Sequence, residues 1–451
     1  MQKSAATHHH LHCAVSLLLI AFLSLSTKST ANPVINEIFY HENHGTGPEN
    51  SLTEWIELYN PTATGVDLSG WSFSQGINFT FPAGTILPGT SYLVIAADPP
   101  SFNSIHPGAD TGGNILGPWV GRLRNSGETI TLVDQAGNRI DRVRYADEGD
   151  WAERRRGPVD NGHQGWTWTA SHDGEGSSLE LINPALSNNQ GQNWGSSITP
   201  GGSPGSANSI LSTNTAPLIK SVRHTPVIPR SGENVIVQAE LDYINRTGPL
   251  LLFWRLDGDS DWTSREMNED PDGVYRSEIP GQANGTIIEF YLRVFTDSAE
   301  RTWPAPSQAD GEQQANALLQ FDDSYDPNGA WVPGSQPKYR IVMTEEERAE
   351  LADIGDDSES PRNEEESNAE MNCTFIVEDG TGLALRYLAS VRNRGASSRN
   401  PPPNNFLVKF RSDDPWNGCP SVKFNAQYPH SQVFGSRYLR SAGIETAEAT
   451  A

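Results

Sequence analysis

The chain has 451 residues, a formal net charge of −24 at pH 7 and only three cysteines. Its mean hydropathy is −0.52. So acidic a chain repels nucleic acid and anionic lipid, which excludes both as partners on electrostatic grounds. The length allows several domains, and 41 Gly and 31 Pro among alternating aromatic runs point to β-sandwiches, not helical bundles.

Lys3, the apolar run AVSLLLIAFLSL at 14–25 and the small residues Ser29-Thr30-Ala31 have the order of a cleavable secretory leader over residues 1–31. The run is short of the ~20 apolar residues a membrane helix needs. The expectation is a protein secreted or held in the cell envelope, with no transmembrane span after cleavage. Cys13 and the histidines at 8, 9, 10 and 12 would leave with the leader. Cys373 and Cys419 then remain, and an oxidising compartment permits a disulfide between them.

The first segment, 33–209, contains strands expected at 34–40, 54–60, 91–97, 128–134 and 141–147. In EWIELYN, strict alternation places Trp55, Glu57 and Tyr59 on one face and Ile56 and Leu58 on the other. Gln135-Ala136-Gly137-Asn138 joins two strands as a hairpin turn, and GGSPGSAN at 201–208 ends the segment. INEI at 35–38, EWIELYN, VDLSGWSF at 66–73, FPAGTILPGTSYLVIAAD at 81–98, LRNSGETITLVD at 123–134, SSLELINP at 177–184, Trp194 and SPGSAN together resemble a lamin-tail domain. That resemblance implies an immunoglobulin-like sandwich for binding or adhesion, without catalysis. Gly70-Trp71 fits a turn that delivers an aromatic ring to the core.

The second segment, 214–321, carries strands expected at 234–241, 250–257, 273–281 and 286–297, divided by Gly, Pro and Asp. It is similar to the fibronectin-III-like modules that space domains in exported proteins.

The third segment, 337–451, opens with a strand at 337–343 and a helix at 344–354, in which Thr344 and Glu347 have capping-box spacing. An acidic run at 355–370 reads as a solvated loop, and strands follow at 374–380, 385–395 and 406–410. YRIVMT, NCTFIVEDG, VRNRGASSR, NNFLVKF and VKFNAQYPHSQVFGSRYLRSAGI at 422–444 resemble the N-terminal part of a spore-coat CotH kinase-like domain. The fold class is therefore mainly β: two tandem Ig-like sandwiches before an incomplete α+β kinase-like segment.

The resemblance to CotH implies phosphate contacts from Arg394, Gly395, Ser397, Ser398 and Lys409. Arg392 and Arg399 are further cations, and a glycine turn lets backbone N–H groups approach an anion. Ala396 departs from the family's glycine-then-Asn-Ser-Ser element, and Asn404 and Asn405 stand where lysines are usual. The family's catalytic and metal-binding aspartates belong to a later half, which the sequence to Ala451 does not match. No catalytic residue and no metal ligand is assigned, and no cofactor is expected; ATP and Mg²⁺ would enter only with a complete kinase domain.

Four further patterns are read as bland. Asp257, Asp259 and Asp261 open like a calcium loop, but Trp262 and Asn268 occupy the positions that need Gly and Glu, so a polar hairpin tip is expected. His41-Glu42-Asn43-His44 lacks zincin spacing. Trp55, Trp71, Trp166, Trp168 and Trp194 read as core anchors, and Asn78, Asn245, Asn284 and Asn372 sit in glycosylation sequons. The leading reading is an exported binding or structural protein with an extracellular protein or glycan partner. Its rivals are a partial kinase of the CotH type and a carbohydrate binder that uses exposed tryptophans.

Overall fold

Alternating apolar strands with Gly/Pro turns do form sandwiches in the computed structural model. It describes residues 32–43, 45, 47–244, 248–305, 315–329, 331–332, 334–354, 367–395, 404–426 and 429–444. The leader, the sequon Asn245, Ser397-Ser398 and most of the acidic run lie outside the described residues.

In the first segment six strands form one sheet in the order Trp194–Ser196, Leu179–Leu181, Val34–Phe39, Trp55–Tyr59, Tyr92–Ala96, Ile115–Leu116. The opposing sheet is Arg139–Arg144, Thr129–Val133, Ser72–Gln75, Phe79–Thr80. Ile38, Ile56, Leu58 and Ile95 of one sheet meet Phe73, Ile130, Leu132 and Val143 of the other in a dry core. Burial of such side chains contributes roughly 25 cal/mol per Å². The expected hairpin closes through Asp134 N–H to the Asn138 carbonyl at 2.9 Å. Gly70 takes φ 73° and turns the chain so that Trp71 packs half-buried against this core.

The outer face of the six-stranded sheet is covered too, which alternation alone did not reveal. The helix Pro99–Ile105 lies over it, with Phe102 edge-on to Trp55 at 5.9 Å and Phe39 stacked on Trp55 at 6.1 Å. That helix has local signals: the Asp98 carboxylate accepts from Ser101 N–H at 3.0 Å, and prolines occupy its first turn. Elsewhere Glu57 is fully buried instead of facing water.

The second segment stacks the sheet Leu218–Thr225, Val235–Asp242, Tyr275–Ile279, Asn268–Glu269 on the sheet Thr263–Glu266, Leu250–Leu256, Ile287–Phe295, Glu300–Trp303. Ala317–Gln320 joins the latter by pairing with Ile287–Phe295. Val235, Val237, Leu252, Phe290 and Leu292 fill the space between the two sheets.

The third segment is one antiparallel sheet of five strands: Lys338–Val342, Met371–Glu378, Leu383–Asn393, Phe406–Lys409, Ser421–Phe424. The helix Glu345–Asp353 begins at Thr344, whose hydroxyl accepts from Glu347 N–H at 3.2 Å. The capping box is only half formed, because the Glu347 carboxylate points elsewhere. A second helix, Pro429–Ser441, follows the sheet and leaves Phe434 and Tyr438 exposed.

The segments are locked together by polar contacts. The Gln192 amide bonds both the N–H and the carbonyl of Ile219, at 2.8 and 2.9 Å. Asp413 accepts from Asp150 N–H at 3.0 Å and pairs with Arg411 at 3.0 Å. His224 and Tyr387 hydrogen-bond in a buried contact between the second and third segments.

Candidate functional site

Between Trp151 and Leu179 the first segment extrudes a hairpin, Glu153–Arg156 paired with Trp166–Thr169. Its register sets Arg154 opposite Trp168 and Arg156 opposite Trp166, so alternation puts all four side chains on one face. The Arg156 guanidinium lies 4.1 Å from the Trp166 ring centroid, and that of Arg154 5.0 Å from Trp168. Such contacts offset part of the cost of desolvating a guanidinium.

The hairpin docks on the third segment. Trp166 donates its backbone N–H to the Glu370 carbonyl at 2.7 Å and its indole N–H to Glu347 at 2.6 Å. The other Glu347 oxygen accepts from Asn372 N–H at 2.9 Å. Arg154 donates to the Leu388 carbonyl at 2.7 Å, and Asp160 accepts from Asn368 N–H at 2.6 Å.

Beside this seam lies a cleft of about 510 Å³. Asp147, Glu148 and Asp173 form one wall, Arg154 and Trp168 a second, and Glu370, Ser390 and Lys409 a third. Lys409 is ion-paired with Glu370, and the Ser390 hydroxyl donates to the other Glu370 oxygen at 2.7 Å. Burial pushes Glu148 up to about 7 and raises Asp147. Burial also lowers Arg154, to about 10, and its Nε and Nη2 have no hydrogen-bond partner. With Asp160 the cleft offers five carboxylates against two cations. That chemistry accepts hydrogen bonds from hydroxyl or ammonium groups and disfavours a free polyanion. A second cavity of about 520 Å³ separates the first two segments, between Trp151, Gln192 and Trp194 on one side and Arg301 on the other.

Of the described residues the sequence singled out for phosphate, Lys409 alone lines the cleft. Its strand register sets it level with Ser390, four residues from Arg394 and so about 13 Å away along the strand. Arg394 bonds Asn425 through its side chain and the Asn405 carbonyl through its N–H. Gly395 is exposed with φ 106°, and Ser397 and Ser398 fall outside the described residues. The described part is thus split between two places instead of gathered in one cradle.

Cys373 and Cys419 depart from the expected pairing, since both thiols are free. Cys373 points into the core of the five-stranded sheet, whereas Cys419 is exposed, so the two occupy opposite environments. His41 pairs with Asp173 at 2.6 Å, while Glu42 accepts from Thr53 and Asn50, so the two do not converge. Among the described residues no group of three His, Cys, Asp or Glu is arranged to hold a metal. Asp257 accepts from Glu345 N–H at 2.7 Å and so joins the second segment to the start of the third-segment helix. Trp55, Trp166 and Trp194 are buried as anchors; Trp71 and Trp168 are half-buried.

The hairpin and its partners Glu347 and Glu370 were not anticipated. The alternating GWTWTA at 165–170 was the available signal, but nothing local names the surface those tryptophans meet.

Residues 26–147 match the Lamin Tail Domain family. The match runs from the first strand of the sandwich through Arg139–Arg144 and stops just before the hairpin, so the seam and the later strands Leu179–Leu181 and Trp194–Ser196 lie outside it. No curated protein matches the chain. Among the described residues no helix is long and apolar enough to cross a membrane.

Proposed function

We propose that the chain is an exported, multi-domain binding or structural protein whose partner is an extracellular protein or glycan. The observation that supports this is the seam cleft. The Ig-like sandwich of the lamin-tail type extends a hairpin onto the third segment, and together they frame an acidic pocket with a half-exposed tryptophan. Carboxylates with one aromatic wall suit sugar hydroxyls or a lysine- or arginine-bearing loop. The second sandwich serves as a spacer. The test is binding of the purified chain to glycan and basic-peptide arrays, repeated with Glu148→Gln and Trp168→Ala. Binding lost in both variants supports the cleft. Undiminished binding in both would remove it from the reading. N-terminal sequencing of secreted material should begin near residue 32; an intact Met1 would sink the export reading.

A kinase-like third segment of the CotH type is the second reading. It is favoured by Lys409, which sits on an antiparallel strand, is ion-paired with Glu370 and faces a cleft. In phosphoryl-transfer folds of the kinase type a strand lysine, positioned by a glutamate, contacts the phosphates. Phosphate transfer from ATP with Mg²⁺ or Mn²⁺, abolished by Lys409→Ala and Arg394→Ala, would put this reading first.

A further inference from the structure

Glu37, Glu57 and Glu180 come from three adjacent strands of the first sandwich, and the register sets Glu37 directly opposite both others. All three are fully buried. The segment 202–210 crosses over them. Ser203 N–H reaches Glu37 Oε1 at 2.8 Å and Gly205 N–H reaches Glu57 Oε2 at 2.6 Å. Ser209 Oγ and Ile210 N–H reach Glu180 Oε2 at 2.8 and 3.1 Å. The approach is so close that a Cβ on Gly202 would lie 2.3 Å from Glu37 Oε1.

Among the described residues no cation acts on Glu37 or Glu57. The segment 202–210 contains no titratable side chain. Other ionisable side chains near it are Tyr59 and Tyr92, beside the carboxylates on the same sheet, and His106, against Gly201. Burial keeps His106 neutral and its pKa low.

Donor counting then places a proton. Ser203 Oγ lies 2.6 Å from Glu180 Oε1 and 3.3 Å from Glu37 Oε2, but a hydroxyl has one hydrogen. If that hydrogen goes to Glu180, the contact with Glu37 is satisfied only when Glu37 Oε2 carries a proton and donates it to Ser203. The chain is Glu37 O–H to Ser203 O–H to Glu180 carboxylate.

We infer that the segment 202–210 is a proton-locked latch, seated while Glu37 is protonated and loosened when it ionises. Ionisation turns the Glu37–Ser203 contact into two facing acceptors and adds a buried charge opposite the Glu180 carboxylate. The raised Glu37, at about 8, is consistent with a proton held at neutral pH. Because 202–210 leads directly to the second sandwich, a loosened latch slackens the tether between the two.

The test is hydrogen exchange by mass spectrometry on the full chain, with the protection of peptides spanning 201–210 normalised to intrinsic rates. Wild-type protection should fall at least tenfold between pH 7 and 9.5. In Glu37→Gln an amide N–H donates permanently to Ser203, and protection should hold across that range. Ser203→Ala breaks the relay and should show weakened protection already at pH 7. If Glu37→Gln does not fold, the wild-type profile and Ser203→Ala still decide. A flat wild-type profile, an equal fall in Glu37→Gln, or loss of protection at pH 7 on adding EDTA would overturn the inference, the last by showing that a metal ion neutralises the group.

Discussion

Trp166 gives its indole N–H to Glu347 across 181 residues of sequence, in a fully buried contact between the first and third segments. Glu347 thus leaves its own helix's capping box half empty to serve a tertiary contact. Trp166→Phe keeps most of the apolar area but removes the donor. It should cost about 1–3 kcal/mol, because a buried carboxylate loses a partner. Denaturant unfolding of Trp166→Phe, Glu347→Gln and the double variant measures the coupling; additive effects would show the two groups to be independent.

Stability should fall as pH rises from neutral to about 8. Burial raises Glu54 from the usual carboxylate range to about 8, with one oxygen held by Leu123 N–H and the other unpartnered. A raised carboxyl binds a proton in the folded state that the unfolded chain has released. Its stabilisation is complete below about pH 4.5 and is lost as pH climbs through 8. Buried His172 and His224 act oppositely, because their lowered pKa values make the folded state lose stability under acid. Above pH 7 they are largely neutral in both states, so between pH 7 and 8 the fall reports carboxyls, and above that the buried Cys373 thiol adds to it. Each contributes at most about 1.4 kcal/mol per pH unit. Glu54→Gln should flatten the unfolding free energy between pH 7 and 8.5; an unchanged slope would show that Glu54 ionises normally.

Trp55 is fully buried between Phe39 and Phe102, and its indole N–H has no partner. Trp55→Ala should cost about 3–5 kcal/mol. Trp55→Phe should cost less than about 1.5 kcal/mol, because it removes the orphan donor as well as some volume. Trp71, half-buried at the edge of the core, should cost less than Trp55 when replaced by Ala. Thermal or urea unfolding of the three variants ranks them, and Trp71→Ala above Trp55→Ala would reverse the assignment of the main anchor.

The two described cysteines should react very differently. Burial pushes the Cys373 thiol up to about 12, whereas Cys419 is exposed. A thiol reagent applied to native protein should label Cys419 within minutes and Cys373 only after unfolding. Peptide mapping that finds the two linked in secreted protein would contradict the free thiols.

The strands were legible because their apolar residues alternate over short runs between Gly, Pro and Asn turns, and the hairpin at 135–138 was readable to the residue. Glu57 was not. Alternation with Ile56 and Leu58 sets its face but not what covers that face, and the segment that buries it comes nearly 150 residues later. Lys409 was singled out and does line the cleft, but Glu370 was placed in a solvated loop. A charged pair across strands leaves no period in the sequence, and Ser390 and Arg154 joined the same cleft without any local mark.

The docked hairpin also sets a schedule for biosynthesis. Trp166 is synthesised 181 residues before Glu347. At ~5–20 residues per second, that is roughly ten to forty seconds of translation. Throughout that interval a tryptophan-bearing edge lacks the third-segment surface on which it docks. A nascent chain paused before the third segment is made therefore presents this hairpin without its docking partner, and it is where a holdase would be expected to bind.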